Sequence, residues 1–353
     1  MMFMKILFFI RHYFDTWGGI EEHVYNISSI FQENNQVTIT APTSDKQHIK
    51  YSPGISYVDH RNVRISDFDV IFIENFEIFP HIVLCFKVIL DRIINQKHCK
   101  IILVPHGGFT LKWDLFGWKQ RIVKFLYNKT FGLFFINRFC DLVVAVSDWE
   151  KKALIQEGVT KEIVVIRNGF DIQDAEAYKE NLKENYFIFV GRIVSIKNLE
   201  EVILCYKSIV QDKFFQDYKM LIVGSYEIDS DYFLKIKKIV QDNDLVDGVV
   251  FLGAKYGKEK YELISRAACL FCLSHVEHDP VVLKESFSVK TKVMINSNFG
   301  LEDYRGEKNI FLKNENAVNL SRFYEFLKKD FMENLNIPLL SWADVTAKYE
   351  KLF

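Results

Sequence analysis

Nowhere in this 353-residue chain is there an unbroken apolar run of the ~18 to 20 residues that a membrane-crossing helix needs; the stretch from His81 to Leu90 is interrupted by Lys87. The N-terminus also lacks a secretory core. Its apolar run, Ile6 to Ile10 between Lys5 and Arg11, falls below the ~7 to 15 residues of such a core and reads as a buried first strand. Excess charge is missing too: a net charge of -1 excludes a nucleic-acid binder that depends on bulk basicity, and no nucleic-acid partner is expected. The six cysteines are scattered, mostly within apolar runs, as suits reduced thiols in a cytoplasmic core. Cys269 and Cys272 form a CxxC, but inside AACLFCLS the pair reads as buried strand rather than as a metal or redox site. No short repeat or low-complexity tract is present.

What is there is an ordinary globular composition, 49% hydrophobic and 26% charged, on a chain longer than the ~250 to 300 residues at which one core stops growing. Two domains are expected. Apolar runs of four to six residues (KILFFI, QVTITA, DVIFIE, KIILVP, DLVVAVS, EIVVIRNG) alternate with longer amphipathic segments, the pattern of a parallel sheet covered by helices on both faces. The pattern pauses over a polar stretch without strand signal and restarts with YFIFVG, KMLIVG, GVVFLG, CLFCLS and KVMIN. The expected fold is therefore α/β with two doubly wound, Rossmann-like domains, residues 1–170 and 186–335, joined by a linker at 171–185 and followed by 336–353. Such sheets carry ligands at the carboxyl ends of their strands.

The segment Ser274 to Asn296 is the densest in chemistry. An apolar strand stops there, a turn follows, and a helix opens with Asp279 placed as N-cap and Pro280 as first helical residue. The N–H groups of Val281 and Val282 then point outward with the positive end of the helix dipole behind them, a site suited to phosphate. Glu277 and Glu285, an E-x7-E pair, flank that helix end, and carboxylates accept paired hydroxyls of sugars or riboses. Read alone, E-x7-E fits a capped surface helix with solvated glutamates better, since charged side chains are mostly exposed.

Other strand ends add to it. Gly18-Gly19 after the first strand opens a helix and lets backbone N–H groups approach a ligand, or is a plain tight turn. His106, before Gly107-Gly108, sets an imidazole at a strand end, where a simple turn residue is the bland alternative. Arg192 and Lys197 follow YFIFVG and together would balance a diphosphate, the guanidinium as a fork and the ammonium as a point charge. Asp67-Phe68-Asp69 mimics a DxD metal motif but precedes its strand, at the wrong edge of the sheet. Residues 111–138 carry Lys112, Lys119, Arg121, Lys124, Lys129 and Arg138 among eight aromatic side chains, either an anionic-membrane surface or a helix whose aromatic side packs on the sheet.

FVGRIVSIKNLEEVI followed by E-x7-E resembles the signature of family 4 of the nucleotide-sugar glycosyltransferases, retaining enzymes of the GT-B fold. AVSDWEKKALIQEGVTKEIVVIRNGFD, KMLIVGS, VVFLGAKYGKEKYELISRAACLFCLS and SWADVTAKYEKLF match in order and spacing, so the resemblance covers nearly the whole chain. It implies that two domains face a central cleft, the first binding acceptor and the second the nucleotide sugar, with the terminal helix crossing back to the first domain. It implies roles as well: Gly18-Gly19 at the donor phosphates and acceptor, His106 at the transferred sugar, Arg192 and Lys197 on the diphosphate, Glu277 on sugar hydroxyls, Glu285 on the ribose. The donor would be a UDP- or GDP-sugar, with no metal and no further cofactor, because the cations do the metal's work. The acceptor would be a glycan, lipid-linked if 111–138 lies on the inner face of the plasma membrane. Two departures stand out. Glu277-His278-Asp279-Pro280 replaces the usual Glu-Gly-Phe-Gly, and Asn298 to Asp303 replaces a glycine-rich turn with a Pro-Glu pair. The altered Glu277 to Pro280 stretch keeps open a catalytically silent partner subunit; a UDP-sugar 2-epimerase of the same fold is the other alternative, which the Arg192, Lys197 and E-x7-E set disfavours.

Overall fold

The computed structural model describes residues 3–10, 18–41, 54–76, 78–94, 99–109, 118–179, 182–297, 300–313 and 318–353. The chain divides into two compact units, Met1–Gly169 with Trp342–Phe353, and Phe170–Ser341.

In the first unit the strands are β1 (Lys5–Phe9), β2 (Gln36–Ala41), β3 (Ser56–Asp59), β4 (Val70–Glu74), β5 (Lys100–Val104), β6 (Leu142–Ala145) and β7 (Ile163–Val165). They form one parallel sheet in the order β3-β2-β1-β4-β5-β6-β7. Its helices are α1 (Gly19–Phe31), α2 (Ile78–Ile94), α3 (Trp118–Tyr127), α4 (Leu133–Phe139) and α5 (Asp148–Glu157). The central strands are buried on both faces, which is why they read as continuous apolar runs instead of alternating ones. Ser147 caps α5 by accepting from the Glu150 N–H at 3.1 Å.

The second unit holds α6 (Ile172–Glu176), α7 (Leu199–Val210), α8 (Ser230–Asp242), α9 (Gly257–Arg266), α10 (Val281–Ser288) and α11 (Leu320–Lys328). Its strands β8 (Glu184–Val190), β9 (Lys219–Val223), β10 (Val249–Gly253), β11 (Ala267–Cys272), β12 (Val293–Ile295) and β13 (Ile310–Leu312) form a second parallel sheet, ordered β10-β9-β8-β11-β12-β13. The expected linker at 171–185 is not a bare connection. Asp171 caps α6, accepting from the Asp174 N–H at 3.3 Å, and β8 already begins at Glu184, so the segment belongs to the second unit. The last helix, α12 (Trp342–Glu350), belongs to the first unit, where it packs on α1.

Both sheets reverse strand order once, between β1 and β4 and between β8 and β11. In doubly wound sheets that reversal opens a crevice at the carboxyl ends of the two strands. In the first unit His106 follows β5, and in the second Arg192 follows β8 and Glu277 follows β11. Cys269 and Cys272 lie in β11 as free, buried thiols, with burial pushing the Cys272 thiol up to about 12, so neither is a ready nucleophile or ligand. Asp67 and Asp69 precede β4, and Asp69 accepts from the Lys5 N–H at 2.9 Å, at the amino edge of the sheet.

Candidate functional site

In the second unit, β8 ends into Gly191-Arg192, and a short 3-10 turn, Ser195–Lys197, precedes α7. That turn is stitched to the loop after β11: the His275 N–H donates to Ile196 O at 2.9 Å, and the Asn198 amide donates to Leu273 O at 3.1 Å. The loop is thereby brought beside the cations, and Lys197 Nζ donates to Glu277 Oε1 at 2.5 Å. Arg192, half-buried, has no ion pair or side-chain hydrogen bond among the described residues. A guanidinium at a sheet crevice without a carboxylate is a place for an anion. Two glycines make the close approach possible. A Cβ on Gly224 would lie 1.8 Å from Gly191 O, and Gly300 (φ +93) admits the Glu277 carbonyl, which a Cβ would meet at 1.4 Å.

The opening of α10 differs from the expected cap. The helix begins at Val281, Pro280 is its N-cap with extended backbone, and no side chain caps it. Asp279 is turned inward instead. Its carboxylate accepts from Lys284 Nζ and, at 2.6 Å, from Tyr304 OH, with both ionic side chains fully buried. A buried charge must be paired, and that demand outweighs a cap worth about 1 kcal/mol. The consequence for the site is unchanged: the first N–H groups of α10, those of Val281 and Val282, have no acceptor within the helix.

Glu285 is buried one turn into α10 and has two partners that the sequence did not announce. Its Oε1 accepts from Lys260 Nζ at 2.5 Å and from Tyr261 OH at 3.3 Å, both on α9. So Glu277 and Glu285 each hold a lysine rather than standing as solvated carboxylates. The arrangement can exchange partners: a diphosphate that recruits Lys197 frees Glu277 Oε1 to accept a hydroxyl.

In the first unit, Gly18 is the extended N-cap of α1, without side-chain cap, and Gly19 is exposed at its first turn. His106 follows β5 with its backbone in the left-handed region (φ 47). The turn is fixed by the Gly108 N–H donating to Pro105 O at 2.7 Å and by the Gly107 N–H donating to Glu150 Oε1 at 2.5 Å. The His106 ring meets Glu74 at the end of β4, Nε2 to Oε2 2.7 Å. Glu74 is wholly buried, and burial pushes its carboxyl up to about 7, against a smaller pull downward from His23. A glutamate closing an all-apolar central strand is a signal that could have found it.

Among the described residues His23, Glu74 and His106 bring three ligand-capable atoms within 4.8 Å of one another. Two donors on one tetrahedral zinc sit about 3.3 Å apart, given bonds near 2.0 Å. The 2.7 Å contact between His106 and Glu74 is hydrogen-bond spacing, shorter than that of two ligands on one zinc, and His23 Nε2 stands 3.9 Å from Glu74 Oε2.

The family model for glycosyl transferases group 1 matches residues 171–333, and that for glycosyltransferase family 4 matches residues 17–174. The chain belongs to the family 4 glycosyltransferases. None of the curated proteins matches it significantly by sequence. Solved structures similar to this glycosyltransferase share the GT-B fold at low identity. Anabaena HepE in complex with UDP and glucose has a TM-score of 0.73 at 16% identity, covering 99% of both chains. Sucrose-phosphate synthase from Thermosynechococcus elongatus has a TM-score of 0.70 at 15% identity, covering 99% of this chain and 98% of the other. The lipopolysaccharide outer core galactosyltransferase WaaB has a TM-score of 0.60 at 17% identity, covering 99% and 96%.

Proposed function

We propose that this glycosyltransferase moves a sugar from a UDP- or GDP-sugar to a hydroxyl of a cell-surface glycan or its lipid-linked precursor, with retention of configuration and without a metal. The observation that carries it is Arg192: a half-buried guanidinium with no carboxylate of its own, on the loop that sets Lys197 against Glu277. The departing diphosphate is a good leaving group once its charge is balanced, so stabilisation by Arg192, Lys197 and the α10 N–H groups is the main catalytic term, together with positioning. Glu277 then takes hydroxyls of the sugar, and Glu285 those of the ribose. HepE holding UDP and glucose favours UDP as the donor's nucleotide, and the lipopolysaccharide role of WaaB favours a surface-glycan acceptor. Incubation with a panel of UDP- and GDP-sugars and assay of nucleotide release tests this reading. Release from at least one donor is expected, and release from none would remove it. Conversion of a UDP-sugar to its 2-epimer with no acceptor would favour the isomerase.

A lipid-linked acceptor fits one surface of the first unit. No helix among the described residues is long and apolar enough to cross a membrane. Of the segment 111–138, residues 111–117 lie outside the described ones. Tyr127 and Phe135 pack into the core, whereas Trp118 is 68% and Phe134 57% exposed. On α2, which packs on α4, Phe86, Leu90, Ile93 and Ile94 are exposed as well. An apolar face beside Lys119, Arg121 and Lys124 suits the anionic inner face of the plasma membrane, each cation adding about 1 kcal/mol. Replacing those three by glutamate should abolish sedimentation with phosphatidylglycerol vesicles while donor hydrolysis continues. Undiminished sedimentation would exclude this surface.

A further inference from the structure

We propose that the Lys197–Glu277 ion pair is an internal competitor for the diphosphate: it weakens the hold on a bare nucleoside diphosphate, and the sugar hydroxyls of an intact donor lift that competition. The places of sugar and diphosphate rest on the function proposed above, and the coupling between them runs through this one lysine.

The two cations of the second unit start from different states. Arg192 has no ion pair or side-chain hydrogen bond among the described residues, whereas Lys197 Nζ is already engaged with Glu277 Oε1 at 2.5 Å. Among the described residues each member of that pair is the other's only side-chain partner. Their side chains stay partly open to solvent, Lys197 24% and Glu277 11% exposed, unlike the fully buried Lys284–Asp279 pair nearby in the chain. The backbones beneath are pinned. The Gly191 N–H donates to Val223 O and the Ile193 N–H to Ser225 O, both at 2.9 Å, which anchors the Arg192 turn on the end of β9. The Lys197 N–H donates to Val194 O at 2.9 Å, and Asn198 closes that turn in the left-handed region (φ 54). The lysine chain then runs back past the arginine's own turn, its Cε 3.9 Å from where a Cβ on Gly191 would stand. Glu277 has its carbonyl packed against Gly300. The pair is therefore set by the fold rather than by a chance meeting of two long side chains.

Two costs arise when a diphosphate takes Lys197. The ion pair breaks, and a mostly buried carboxylate is left without its donor beside fresh negative charge. A donor sugar offsets both, because its hydroxyls donate to the carboxylate that the lysine has left. Sugar and diphosphate thus bind cooperatively, and the cooperativity ends on transfer. Once the sugar has gone, Glu277 reclaims Lys197, and the remaining nucleotide keeps only Arg192 and the first N–H groups of α10 for its diphosphate. The pair favours uptake of donor over retention of product.

A double-mutant cycle tests this: titration calorimetry with UDP and with GDP on wild type, Glu277→Gln, Lys197→Met and the double variant, each checked for folding by a thermal melt, with Lys197→Gln in reserve. Glu277→Gln is expected to bind the preferred nucleotide about 10-fold more tightly than wild type, since one charge-assisted internal competitor is gone. In the Lys197→Met background the same change should alter affinity by no more than about threefold, because no lysine is left to release. An equal gain in both backgrounds would mean plain repulsion by the carboxylate, and no gain in either would mean that the diphosphate leaves the pair intact. Either result overturns the coupling, while nucleotide binding by wild type leaves the proposed function standing. No nucleotide bound by any of the four proteins overturns both. With a donor in hand, wild type should bind the sugar nucleotide more tightly than the bare nucleotide, and Glu277→Gln should erase that preference. A preference undiminished in Glu277→Gln would also overturn the coupling.

Discussion

Arg192→Ala is expected to slow sugar transfer by about 10² to 10³-fold, the usual loss when one preorganised group that stabilises developing charge is removed. The effect belongs to the transition state, because charge accumulates on the diphosphate as the glycosidic bond breaks. Folding should hardly notice. The guanidinium makes no ion pair or side-chain hydrogen bond among the described residues, so stability should change by no more than about 0.5 kcal/mol. Lysine at 192 should recover only part of the rate, since an ammonium replaces the charge but not the fork. Initial rates at saturating donor, with a thermal melt of each variant, read both halves of this expectation. Full activity in Arg192→Ala would separate this residue from the reaction.

Lys284→Met should do the opposite: a large loss of stability from a residue that touches no substrate. Lys284 and Asp279 are fully buried partners, and Tyr304 OH donates to the other carboxylate oxygen. Removing the lysine leaves a buried carboxylate with only the phenol, a change that costs about 3 to 5 kcal/mol. For a unit of this size the melting temperature should drop by roughly 10 °C. Replacing both charges, as in Asp279→Leu with Lys284→Met, should recover much of the loss, because two well-packed apolar groups need no counter-ion. A melt of the single and double variants decides it; a single variant as stable as wild type would mean that the pair is hydrated in solution. Activity enters through Glu277 and Glu285, which lie on either side of this pair in the chain.

Most strands that the sequence disclosed are buried on both faces, where an apolar run is the signal; β7 and β10 are partly exposed but keep such a run. Two escaped. β3, Ser56–Asp59, is a half-exposed edge strand without an apolar run, and β13 has three residues, too short to show a period. The linker was misplaced because α6 is a single polar turn held by its cap and its packing, not by periodicity. At the candidate site, motif order singled out the charged residues Arg192, Lys197, Glu277 and Glu285. Their partners were out of reach, since Lys260 lies 25 residues from Glu285 and Glu74 lies 32 from His106. Asp279 shows the limit most plainly. Its position before a helix is that of a cap, and only the buried Lys284 on the inner face turns it away.

The account rests on the second unit's gathering of a diphosphate between Arg192, Lys197 and the first N–H groups of α10. Titration calorimetry with UDP and with GDP, on wild type and on Arg192→Ala/Lys197→Ala, addresses it most directly. Wild type should bind one of the two nucleotides at one site per chain, and the double variant should give no heat at the same concentrations. Wild type that binds neither nucleotide, or a double variant that binds as tightly as wild type, would contradict it.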